Sequence, residues 1–190
     1  MRRIAALFIL LSAAAAGAQD TKFVKDPNHS EINFVAESRL LDAHGFWEKW
    51  DAELTFNPAA WEKSSVKLVI ETKSVNTRNE RRDNHLRSKD FFAADSFPQI
   101  TFTSRIVNKL SDTRLNITGD LVIRGISKPV TIPATLVFWD DKSQTGRFKG
   151  NFSILRSDYG VGYSPPGNPI ADEVAVSFNL TFRAPPPAAR

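Results

Sequence analysis

The residues best equipped for chemistry lie together, in the stretch NTRNERRDNHLRSKDFF from Asn76 to Phe92. Arg78, Arg81, Arg82, Arg87 and Lys89 interleave there with Glu80, Asp83 and Asp90, and the stretch ends on Phe91 and Phe92. A guanidinium is a planar fork that makes paired hydrogen bonds to phosphate oxygens. Arg78, Arg81, Arg82 and Arg87, with His85, are therefore candidates for gripping the polar end of a ligand, such as a pyrophosphate. The ordinary alternative is a solvated helix on which these cations pair with carboxylates three and four residues away. Leu86, Phe91 and Phe92 would act as a lid, plugging one end of an apolar interior. Acid–base chemistry has a single foothold, His85 two residues after Asp83, which leaves a lipid hydrolase or isomerase as a rival reading. No nucleophile motif, glycine-rich phosphate loop or carboxylate pair accompanies it. The three histidines, His29, His44 and His85, have no metal-ligand spacing. No catalytic residue, metal site or cofactor is assigned, and the chain reads as a binding protein rather than an enzyme.

A polar insert of this length needs a frame, and the flanking sequence alternates with the period of two that marks a strand with one buried face. Eight such strands are predicted: Glu31–Glu37, Phe46–Asn57, Ser65–Ser74, Pro98–Val107, Thr113–Arg124, Lys128–Trp139, Gln144–Arg156 and Glu173–Arg183. Their inward rows are Ile32, Phe34, Trp50, Leu54, Phe56, Leu68, Ile70, Phe102, Leu121, Phe138, Phe148, Phe152, Phe178 and Phe182. Short connections make the strands antiparallel, and eight is the number at which a sheet closes around side chains or one small ligand. Closure also removes exposed strand edges. The fold class is all-β, an eight-stranded antiparallel barrel with a short helical insert between strands 3 and 4; a two-sheet sandwich is the alternative. Pro58 to Lys63 reads as a helical turn whose Trp61 covers a barrel end, and Pro129 and Pro133 announce an edge, a bulge or an irregular start. Ser157 to Asp172 is a Gly- and Pro-rich loop carrying Tyr159 and Tyr163. Alternation does not distinguish a packed barrel from a hollow one, so a filled interaction module remains the structural alternative.

Arg2 and Arg3, the apolar run Ile4–Leu11 and the closing Ala16-Gly17-Ala18 form the pattern of a cleaved secretory signal peptide. The expected layout is a signal peptide at 1–18, a barrel domain at 19–183 and a disordered tail at 184–190, in a periplasmic or secreted protein. Removing the signal takes two arginines from the 25 basic side chains against 21 acidic ones, so the charge falls from +4 to near +2. That is too small and too dispersed for a nucleic-acid binder. No segment is long and apolar enough for a membrane helix, while transient contact with a membrane stays open. The chain has no cysteine, so packing alone stabilises it.

Five segments carry a specific resemblance: DPNHSEINF (Asp26–Phe34), SVNTRNERRDNHLRSKDFF (Ser74–Phe92), FPQITFTS (Phe97–Ser104), TGDLVIRGISKPV (Thr118–Val130) and RSDYGVG (Arg156–Gly162). In type and order they resemble the YceI-like family from about Phe23 to Phe182. That resemblance implies a lipocalin-like barrel around an apolar tunnel, an isoprenoid lipid or quinone as ligand, transport or storage as the task, and a homodimer as one form of assembly. It also implies that the inward rows above line the tunnel. The family often has a histidine at the end of the first strand where this chain reads Glu37-Ser38-Arg39, and the loop SPPGNPIADEV is longer than usual.

Overall fold

The computed structural model describes residues 21–185, whose strands all belong to one antiparallel sheet. In chain order they are β1 (Thr21–Lys25), β2 (Glu31–Ser38), β3 (Ala43–Trp47), β4 (Trp50–Phe56), β5 (Ser65–Glu71), β6 (Val75–Asn76), β7 (Gln99–Lys109), β8 (Arg114–Ile123), β9 (Ile126–Asp140), β10 (Thr145–Leu155) and β11 (Ile170–Arg183). One helix, α1 (Glu80–Arg87), and single 3-10 turns at Trp61–Lys63, Thr72–Ser74 and Arg156–Tyr159 accompany them. The expected signal peptide lies outside the described residues. So does most of the expected tail, of which Ala184 still donates its N–H to the Gln144 carbonyl at 3.0 Å.

Six of the strands join end to end into three staves, β1 with β2, β3 with β4 and β5 with β6. β11 pairs with β2 from Ile170↔Ser38 to Asn179↔Glu31, then with β1 through Phe182↔Lys25 and Arg183↔Val24. β4 lies against β1 and β3 against β2. Counted as staves, the sheet is the expected closed barrel of eight, with α1 between the third and fourth. The residues before Glu31, read as a polar lead, contain the strand that closes it. Lys25 marks this seam: its ammonium donates to the Trp50 carbonyl at 2.6 Å and sits 4.0 Å from the Trp50 ring centre. Burial pulls its pKa below the ordinary lysine value, with the Asp51 charge opposing.

The staves break where the inward phase must change. In β3 the inward residues are Gly45 and Trp47, and in β4 they are Ala52, Leu54 and Phe56. One reading of Phe46–Asn57 as a continuous strand is thus corrected at Glu48–Lys49. There Ser74 stitches the break, its carbonyl accepting from Glu48 N at 3.1 Å and its hydroxyl from Lys49 N at 3.0 Å. A bulge at Arg105 in β7 acts the same way: Phe102 pairs with Leu121 and Val107 with Ile117, all inward, whereas Ile106 turns out and is 54% exposed. A second bulge corrects Phe138. Leu136 pairs with Phe148 and Phe138 with Arg147, so Val137 is the extra residue. The shift sends Phe138 outward, 44% exposed, and brings Trp139 inward over Gly146, where a Cβ would stand 2.8 Å from the indole.

Pro129 and Pro133 also find their reason in the ladder. Leu136 donates its N–H to Thr113 on the β8 side, so by alternation the two prolines occupy positions whose N–H would face β10. The β9–β10 pairing runs from Asp140↔Thr145 only to Thr135↔Lys149. Beyond it the turn Arg156–Tyr159 packs against β9, β10 and β11.

Candidate ligand cavity

The inward rows do not meet in the middle. They surround a cavity of about 370 Å³ whose walls are almost entirely apolar, within the size range of small-molecule sites. Twelve of the fourteen residues predicted to face inward line it: Ile32, Phe34, Leu54, Phe56, Leu68, Ile70, Phe102, Leu121, Phe148, Phe152, Phe178 and Phe182. Phe138 does not, for the reason given above, and Trp50 packs between the two halves of the core instead. The filled-core alternative is corrected by this hollow.

One end is a floor of aromatic rings. Phe56 meets Trp61, Trp139 and Phe148 edge-on with centroids 5.9, 5.0 and 5.5 Å apart, and Phe23 meets Trp139 at 5.5 Å. Edge-to-face rings at such distances pack favourably beyond their area alone. Trp61, predicted to cover a barrel end, is buried there and donates its indole N–H to the Pro58 carbonyl at 3.1 Å.

The other end carries the lid, with Leu86, Phe91 and Phe92 facing the cavity. Asn79 caps α1, its side chain accepting from Arg82 N at 3.0 Å. Asp83 is buried and accepts from Thr77 N at 2.8 Å and Thr77 Oγ1 at 2.5 Å. Arg82 donates through Nε to Thr77 Oγ1 at 2.7 Å and through Nη2 to the Thr77 carbonyl at 2.9 Å. Arg87 straps the helix to the carbonyls of Lys73 and Val75 at 2.7 and 2.8 Å, and Arg124 donates to the carbonyls of Lys89 and Phe91. Arg82 and Arg87 thus serve the backbone rather than pairing with Glu80, Asp83 and Asp90 as the solvated-helix reading expected.

Of the predicted headgroup residues, Arg82 alone lines the cavity. Arg78 is exposed at φ 60° over the Phe46 ring, and Arg81 is exposed. His85 does not meet Asp83: its Nε2 lies 3.1 Å from Asp90 Oδ2, and its ring contacts Phe91 and Tyr163 at 5.0 and 4.8 Å. The acid–base pair that motivated the enzyme rival is therefore not assembled.

Several cavity residues were outside the sequence prediction. Trp47 was hidden by the phase break at Glu48–Lys49; its ring lies against Phe34 at 4.9 Å and Phe92 at 6.2 Å, and its buried indole N–H has no acceptor among the described residues. Gly45 makes room there, since a Cβ would stand 2.3 Å from the tip of Phe34. Arg156 reaches the wall from the loop after β10 and donates to the carbonyls of Val161, Tyr163, Ile170 and Ala171 at 2.7 to 3.0 Å. Tyr159 is buried beside it, and burial together with the Asp158 charge raises its phenol pKa. The motif RSDYGVG pointed to both, and the Gly- and Pro-rich loop to Tyr159. Ser38, Leu41 and Asn168 complete the rim. Among the described residues no group of three metal-ligating side chains occurs and no helix is long and apolar enough to cross a membrane.

Known proteins share both the sequence and the barrel. Protein YceI of Shigella flexneri is 39% identical over 160 residues, covering 80% of this chain and 82% of that protein. A UPF0312 protein of Pseudomonas savastanoi pv. phaseolicola is 29% identical over 174 residues, covering 89% and 90%. The crystal structure of Burkholderia cenocepacia BcnA superposes with a TM-score of 0.76 at 28% identity, over 83% of this chain and 98% of that one. A polyisoprenoid binding domain from Saccharophagus degradans, implicated in plant cell wall breakdown, superposes at 0.69 over 87% and 99%; at 16% identity that likeness is one of fold. The model of the YceI-like domain matches residues 23–182, from the strand that closes the barrel to the last inward phenylalanine, and the chain belongs to the YceI-like family.

Proposed function

We propose that this protein is a carrier that encloses the isoprenoid tail of a lipid, a prenyl phosphate or prenyl quinone, and transports or stores it in the periplasm. The observation that carries the reading is the hollow apolar interior between an aromatic floor and a rim of lid and loop, in a barrel shared with a domain described as polyisoprenoid binding. Burial of about 500 Å² of prenyl surface would contribute roughly 12 kcal/mol gross at about 25 cal/mol per Å². Ordering the ligand and its site offsets much of that, leaving affinity enough for a carrier without a covalent bond. Arg82 and Arg156, both on the cavity wall and neither ion-paired among the described residues, are the cations available to a polar headgroup.

The test is native mass spectrometry of the protein purified from its own envelope fraction, followed by solvent extraction. A stoichiometric prenyl species is the expected result and names the ligand. A protein that is empty and also ignores added prenyl quinones and prenyl phosphates would sink the proposal.

A further inference from the structure

The turn between β2 and β3 carries two leucines left largely uncovered by the described residues. Leu40 is 75% and Leu41 70% exposed, and Leu41 also lines the cavity. An apolar surface therefore runs without interruption from the protein's exterior into its interior. A turn that enters lipid takes its backbone N–H groups away from water, which is costly unless they are hydrogen-bonded. Here that backbone is already provided for. Ser38 N donates to Asp42 Oδ1, Arg39 N to the Pro169 carbonyl, Leu40 N to Asn168 Oδ1 and Leu41 N to Ser38 Oγ, at 3.2, 3.3, 3.0 and 3.4 Å. Four successive N–H groups at the tip need no water. Arg39 beside them is exposed, and the loop that supplies Asn168 and Pro169 carries the exposed Tyr163. An apolar tip with a satisfied backbone and an aromatic neighbour has the features of a segment that settles at the headgroup level of a bilayer, and Arg39 offsets one of the two flanking carboxylates, Glu37 and Asp42.

We infer that the Ser38–Asp42 turn is a membrane-docking tip that inserts Leu40 and Leu41 into a lipid bilayer surface and holds the cavity mouth against it. The inference rests on the carrier reading for what passes through the mouth, and not for the docking itself. It makes the rim a portal, with Leu41 as the first apolar contact for a tail leaving the bilayer.

The cysteine-free chain allows a clean test. Leu40→Cys and, at the opposite end of the barrel, Leu110→Cys, 57% exposed at the turn after β7, are each labelled with nitrobenzoxadiazole. Vesicles of phosphatidylethanolamine and phosphatidylglycerol without prenyl lipid are then added. The label at 40 is expected to brighten at least about threefold while that at 110 stays dark, and Leu40→Asp in the unlabelled protein is expected to float with vesicles about tenfold less than the parent. Binding of dispersed farnesol is measured in parallel. A parent that binds farnesol but shows neither response overturns the docking and leaves the carrier standing. Docking without farnesol or other prenyl binding keeps the tip and overturns the carrier. Brightening at 40 that needs protein concentration rather than vesicles assigns the tip to a second copy and overturns the inference.

Discussion

Two phenylalanines on the same cavity wall have different jobs, and their neighbours say which. Phe56 is held by three other rings in the floor, whereas Phe178 is half-buried above it with one side on the hollow. Phe56→Ala should cost about 3 to 5 kcal/mol in urea denaturation, the range for a packed aromatic. Phe178→Ala should cost no more than about half of that and weaken binding of a prenyl quinone more than Phe56→Leu does. Equal stability losses at the two sites would mean a packed interior. At this scale the inward rows were legible because alternation survives in any strand that stays in register. Phe138 and Ile106 were not, since a bulge adds one residue and reverses every side chain beyond it. The arginines misled for another reason: charge spacing along a helix says nothing of the backbone carbonyls at Lys73, Val75 and Thr77 that α1 packs against.

Among the elements, the loop between β10 and β11 is held at its base by a carboxyl whose hydrogen bonds favour the charged form. Asp172 accepts from Ser157 Oγ at 2.6 Å and Ser157 N at 2.9 Å, which, in that order, hold its pKa below the ordinary 3.8, with the Arg156 charge adding. A carboxyl lowered in the folded state contributes stability above the unfolded pKa and loses it as pH falls through the folded one. Protection of the Ser157 amide, taken relative to its intrinsic exchange rate at each pH, is therefore expected to be flat from about pH 5 upward and to fall as the carboxyl titrates below pH 3.8. In Asp172→Asn the exchange should be fast at every pH; an unchanged profile would detach the clamp from the loop's order. The loop's existence and its glycines and prolines were plain in the sequence. Its anchor was not, because the four carbonyls that Arg156 gathers come together only in the folded barrel.

For the whole molecule the decisive contact is a short one, the two pairs between β1 and β11. Eight staves were countable from the sequence, yet the five residues of β1 were not, since TKFVK places its two apolar side chains, Phe23 and Val24, next to each other and so shows no alternation. They matter because β1 stands between β4 and the far end of β11. Phe23 is 2% exposed and locks that seam from within. Phe23→Ala should raise the unfolding rate while leaving the folding rate nearly unchanged, as for an interaction absent from the transition state; a slowed folding limb in stopped flow would place closure early instead. The pairing joins the first described strand to the last, so its loop-closure cost falls on nearly the whole chain. During synthesis β1 leaves the ribosome before every other described strand and its partner at Arg183 after them, which makes this barrel a shape the growing chain can enter only once, when β11 is complete, with the first stave exposing an edge until then.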